Sequence, residues 1–100
     1  TNDERDYLAE IHRIRGELLA AGSRPAEEVE SAFADALAVA RNQGAKSLEL
    51  RAAMSLGRFW LSQSANQKAK ALAFVQNVYD WFTEGFDSPD LIAARAFLDG

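Results

Sequence analysis

The chain has no cysteine, one histidine, two prolines and one methionine among its 100 residues. Without cysteine there are no disulfides and no thiolate zinc sites, and a reducing compartment such as the cytoplasm is compatible. The single His12 has no second histidine or thiol with which to share a metal, and a lone histidine on a helix is ordinarily a surface or packing residue. No phosphate-binding loop of Walker type and no His-Glu-x-x-His motif occurs. No catalytic residue, metal or cofactor is therefore expected. Basic charge is scarce as well: 11 Lys and Arg face 15 Asp and Glu, a net charge of −4. That balance disfavours nonspecific binding to nucleic acid or to an anionic membrane, since both need a basic surface. No apolar run approaches the ~20 residues that span a bilayer. The first ten residues are mostly charged or polar, unlike a signal peptide. The chain starts at Thr1 without a methionine, so a segment of a longer protein is the expectation.

What is present is a core. Apolar residues make up 48% of the chain, enough for one small domain over 1–100. The apolar spacing is helical throughout, and no segment alternates with period two. The expected class is all-α, with five helices. The first runs from about Asp3 to Ala21, with Tyr7, Leu8, Ile11, Ile14, Leu18 and Leu19 as its apolar stripe and Gly22 as its stop. The second runs from about Ala26 to Gln43 after Pro25, buries Val29, Phe33, Ala36, Leu37 and Ala40, and ends at Gly44. Glu27, Glu28 and Glu30 load its start with charge that suits a helix N-terminus better than a metal. The third, about Ser47 to Ser64, is apolar almost all round and should be central. The fourth is expected from about Gln67 to Glu84, with Ala71, Leu72, Val75, Val78, Tyr79 and Phe82 inward. The fifth, Pro89 to Leu98, should bury Leu91, Ile92, Phe97 and Leu98.

The corner between the last two helices is the most fully specified stretch. Gly85 can close a helix in the left-handed conformation, and Phe86 can fold back onto Trp81. Ser88 is a natural N-cap, Pro89 suits the first helical position, and Asp90 suits the positive helix end. Asp87 fits a turn. These residues have structural tasks and carry no catalytic chemistry. On this reading Trp81→Ala would destabilise the fold by the few kcal/mol of a large core truncation.

A repeat organises the chain. Ala53-x-x-Leu56-Gly57-x-x-Trp60 in the third helix follows the first-helix pattern of a tetratricopeptide (TPR) unit, and His12-x-x-Arg15-Gly16-x-x-Leu19 is a poorer copy. Val29-x-x-x-Phe33-x-x-Ala36 likewise matches Ala71-x-x-x-Val75-x-x-Val78. The glycines at 16 and 57 lie 41 residues apart, somewhat longer than the usual repeat of about 34. A helix-interior glycine costs about 1 kcal/mol relative to alanine, so two at equivalent places indicate close helix packing. The expected architecture is two tetratricopeptide-like helical hairpins (about 3–43 and 47–84) and a capping helix (about 89–98), forming an α-α superhelix. An unrelated helical bundle with incidental glycines is the alternative.

Three segments add a family resemblance: Arg13-x-Arg15-Gly16-Glu17-Leu18-Leu19, Ala40-Arg41-x-Gln43-Gly44-Ala45-Lys46-Ser47-Leu48-Glu49-Leu50-Arg51-Ala52-Ala53, and Tyr79-x-Trp81-Phe82-Thr83-Glu84-Gly85-Phe86-Asp87. Together they resemble the C-terminal tetratricopeptide-like region of large bacterial signalling proteins. In that family an adenylate/guanylate cyclase domain or a DNA-binding regulator domain precedes an AAA-type ATPase module. The resemblance implies a non-catalytic protein-interaction or regulatory module, with cyclase and ATPase chemistry lying upstream. The chain departs from the pattern in the longer Ser62–Gln67 turn and in carrying Asn77 where the family tends to have proline.

Tetratricopeptide-like modules bind partners on the concave surface lined by the first helix of each repeat. That spacing nominates Glu10, Arg13 and Glu17, with Arg51, Met54, Arg58 and Leu61. Arg51 and Arg58 lie two turns apart on one face. With Arg13 they could hold a carboxylate or an acidic peptide by bidentate hydrogen bonds, while Met54 offers an adaptable apolar contact. The competing reading is that these arginines pair with acids of neighbouring helices. Other expectations are contact with domains of the same chain, and homodimerisation through the apolar C-terminal edge of Phe74, Trp81, Phe86 and Phe97.

Overall fold

Helix α2 (Ala26–Gln43) shows how directly pattern becomes structure. Pro25 precedes it, Glu27 and Glu28 lie in its first turn, and Gly44 closes it at φ 69°. Its buried residues are Val29, Ala32, Phe33, Ala36, Leu37 and Ala40, the face that the 3.6-residue period assigns to a core. A computed structural model of the chain describes residues 3–100, with side chains from Tyr7 onward. In chain order the helices are α1 (Asp3–Ala21), α2, α3 (Lys46–Gln63), α4 (Lys68–Tyr79) and α5 (Pro89–Asp99), with a single 3₁₀ turn at Ala65–Gln67. Among the described residues there is no strand, and the fold is all-α.

The four-residue turn 22–25 folds α2 back on α1, and the 3₁₀ segment folds α4 back on α3. Helix α3 touches all four other helices. Its residues from Glu49 to Trp60 are buried except Arg51 and Arg58, as an all-round apolar helix requires. The molecule measures 35 × 31 × 18 Å, and the short dimension is about two helix diameters.

Both repeat glycines sit at close approaches. A Cβ on Gly16 would lie 2.6–2.9 Å from three ring carbons of Phe33. One on Gly57 would lie 3.1 Å from Val75 Cγ2 and from Phe97 Cζ. Each glycine therefore lets an apolar side chain of a packed neighbour reach the helix backbone.

Helix α1 ends at Ala21, just before Gly22 as expected, and the left-handed residue of that turn is Ser23 (φ 57°). Several expectations are corrected. Helix α4 ends at Tyr79, five residues before Glu84. There the Asp80 amide donates to the Gln76 carbonyl at 2.8 Å, and the next two amides reach Val78 and Tyr79 in tighter i→i+3 bonds. Phe82 and Thr83 are weak helix formers, and an early exit lets α5 return to bury Leu91 and Ala94 against α3 and α4. Ile92, one residue round from Leu91, is exposed, while Phe97 and Leu98 are half-buried.

The corner itself is rearranged. Gly85 has its left-handed φ of 77° in the loop, and its carbonyl accepts from Ser88 N–H at 2.9 Å. Ser88 Oγ caps α5 by accepting from Leu91 N–H, and Pro89 is the first helical residue. Phe86 packs on Tyr79, with ring centroids 5.8 Å apart, and not on Trp81. Trp81 stacks edge-on to Phe82 with Lys46 Nζ 5.4 Å from its ring, and is 59% exposed. Trp81→Ala is therefore expected to cost only about 0.5–1 kcal/mol in a chemical-denaturation measurement, against about 3–5 kcal/mol for a buried tryptophan.

Candidate functional site

The residues nominated on the first and third helices meet in one groove. Arg13 on α1, Leu50, Arg51, Met54, Ser55 and Arg58 on α3, and Asp90 and Ala93 on α5 line an open cavity of about 260 Å³. The helical period explains the α3 set, since 51, 54, 55 and 58 fall on one side. Helix α5 supplies the end wall, because Ser88 and Pro89 start it where Asp90 faces Arg51.

A chain of alternating charges crosses this groove. Arg13 holds the Glu10 carboxylate with two nitrogens, at 2.9 and 3.1 Å. Arg51 Nη1 reaches the same carboxylate at 3.2 Å, and its Nε lies 3.1 Å from both oxygens of Asp90. Arg13 Nη1 is 3.5 Å from Glu17, and Ser55 Oγ donates to Glu17 at 2.6 Å. The hydrogen bond from Arg13, reinforced by the charges of Arg13 and Arg51, holds the Glu10 carboxyl below its ordinary pKa against the opposing effect of burial. The run Glu17–Arg13–Glu10–Arg51–Asp90 thus spans three helices and fixes two of the three groove arginines.

Arg58 stands apart. It is exposed, lines the same cavity, and among the described residues forms no ion pair. Met54 is 4% exposed and belongs to the core while contributing to the groove floor. Leu61 does not join the groove. It lies half-buried against the core cluster. Sequence reasoning missed Ser55 and gave Asp90 only a helix-start role. Their contacts join residues 38 and 39 positions apart, which no local spacing displays.

Other polar groups have structural tasks. Glu28 pairs with Arg24 on the surface, and Glu30 accepts the Trp60 indole N–H at 2.9 Å. Lys70 lies over the Trp60 ring at 4.2 Å. His12 is half-buried, with a buried Nδ1 that has no partner among the described residues. Among the described residues no three His, Cys, Asp or Glu side chains are grouped to hold a metal, and no helix is long and apolar enough to cross a membrane.

No family model, no curated protein and no solved structure matches the chain.

Proposed function

We propose that this chain is a non-catalytic interaction module, a pair of tetratricopeptide-like hairpins with a capping helix, whose groove receives an acidic group of a protein or peptide partner. One observation carries the reading: Arg58 lies in a three-helix groove beside Arg13 and Arg51 and, among the described residues, forms no ion pair. Because Glu10, Glu17 and Asp90 hold Arg13 and Arg51 in place, little side-chain entropy remains to be lost when a ligand carboxylate arrives. Arg58 supplies the uncommitted bidentate donor. The partner is a protein, or another domain of the same signalling protein of cyclase/ATPase type, and the setting is a bacterial cytoplasm.

Titration of an Asp/Glu-rich peptide by calorimetry tests this reading. Binding should weaken as salt rises. Arg58→Glu should weaken it by at least about tenfold, the ~1.4 kcal/mol of one charged hydrogen-bonded contact, with the circular dichroism spectrum unchanged. An acidic peptide that binds the variant as well as the wild type would remove the groove from consideration.

A further inference from the structure

The groove arginines differ in what an incoming acid would have to displace. Arg13 is spent on its own helix and on α3: Nε and Nη2 reach Glu10, and Nη1 faces Ser55 and Glu17. Its side chain is 22% exposed, against 44% for Arg51. Arg51 divides its donors between two other helices. Its Nη1 reaches Glu10 on α1 at 3.2 Å, while its Nε lies 3.1 Å from both oxygens of Asp90 on α5. One N–H shared by two oxygens is a poorer arrangement than the two parallel bonds a guanidinium can give a carboxylate. The Asp90 side chain is also 28% exposed, so water competes for it and the pair belongs with weak surface ion pairs.

Asp90 is placed where it can let go. It lies in the first turn of α5, where the helix dipole and water sustain a carboxylate that has lost its partner. Helix α5 does not depend on this pair for its anchorage. Leu91 and Ala94 are buried, Phe97 packs against α3 at Gly57, and Ser88 supplies the cap. Arg51 in turn keeps its bond to Glu10 when Asp90 leaves, so its guanidinium stays in the groove. Arg58 lies seven residues on, roughly 10 Å further along the same side of α3, and both arginines line one cavity. Resting on the reading of the groove as an acid-binding site, we propose that Asp90 is a resident competitor: the partner's carboxylate takes its place on Arg51, with Arg58 as the second anchor. The exchange on Arg51 is carboxylate for carboxylate and nearly even. The net gain therefore comes from Arg58, and acids that reach only Arg51 are turned away by Asp90.

Calorimetric titration of the Asp/Glu-rich peptide into the wild type, Asp90→Asn, Arg51→Gln and the double variant tests this. Asp90→Asn should tighten binding about two- to fivefold, the closed-to-open ratio of an exposed ion pair. The substitution also removes a negative charge, which by itself favours any acid. The Arg51→Gln background separates the two effects, because there no arginine is left to vacate and Asp90→Asn should leave affinity unchanged. Asp90→Ser, likewise short and uncharged, should behave as Asp90→Asn does. Equal tightening with and without Arg51 is a general charge effect and overturns the proposal. So does an Asp90→Asn protein that binds no better than the wild type, the result expected if Asp90 only positions Arg51. In both cases a loss of binding in Arg58→Glu leaves the groove reading standing. A wild type that binds no better than Arg58→Glu overturns both.

Discussion

Phe33→Ala is expected to lower unfolding stability by about 3–5 kcal/mol, a fall in Tm of roughly 15–30 °C for a domain of this size. Phe33 is 1% exposed, and three of its ring carbons fill the space a Gly16 Cβ would occupy. Truncation removes the central contact between α1 and α2. The same geometry makes a sharper prediction about Gly16. In the wild type, Gly16→Ala gains about 1 kcal/mol of helix propensity but drives a methyl into a buried ring, an overpacking cost of about 1–3 kcal/mol. The contacts of 2.6–2.9 Å to three ring atoms place the cost toward the upper end, so a net loss of about 1–2 kcal/mol follows. In the Phe33→Ala background the ring is gone and the methyl enters vacant space, so Gly16→Ala should become stabilising by about 1 kcal/mol. Urea denaturation of the two single variants and the double variant measures this reversal of sign as a coupling energy. Additive effects would show that Gly16 and Phe33 do not meet.

That pair also shows what the sequence could convey. Two glycines at equivalent helix-interior positions announced close approaches, and Phe33 and Val75, from the matching second-helix patterns, are among the residues that fill them. Helices α2 and α3 were legible because their periodicity extends over 18 residues each. The local N-cap chemistry of Ser88 and Pro89 was legible for the same reason: its partners lie within three residues. What escaped was decided by chain return. The stop of α4 at Tyr79 answers to the docking of α5, and the exposure of Trp81 answers to that stop. The groove was half legible: the helical period put Arg51, Met54 and Arg58 together and Arg13 across from them. It placed Leu61 wrongly and could not supply Asp90, which arrives from another helix. The apolar stripe of α1, with Tyr7, Ile11, Ile14 and Leu18, proves to be exposed: periodicity alone does not say which helix in a stack has a neighbour.

Loss of Glu49 is expected to cost about 2–3 kcal/mol at neutral pH, the worth of a charged hydrogen-bonded group removed from a buried site whose partners retain access to water. Glu49 is 4% exposed, the one acid inside the buried stretch of α3. Arg41, in the last turn of α2, reaches one carboxylate oxygen at 2.8 Å, and Lys46 reaches the other at 3.0 Å. The carboxylate thus bridges the end of the first hairpin to the start of the second across the Gly44 turn. Burial acts to raise its pKa, but the hydrogen bonds and charges of Arg41 and Lys46 outweigh it and hold it below the ordinary carboxylate range. A carboxyl depressed in the folded state contributes its full stability above the unfolded pKa and loses it as pH falls through the folded one. Wild-type stability should therefore decline on acidification below about pH 4–5, where unfolded glutamates begin to protonate. Glu49→Gln keeps the shape, so it should be less stable at pH 7 and show a flatter acid limb. The gap between the two proteins should narrow toward pH 2–3. Glu10 is depressed as well and leaves a residual slope in the variant. Denaturant midpoints at pH 7, 5 and 3 measure the effect, and curves that stay parallel down to pH 3 would show that Glu49 does not latch the two hairpins through its charge.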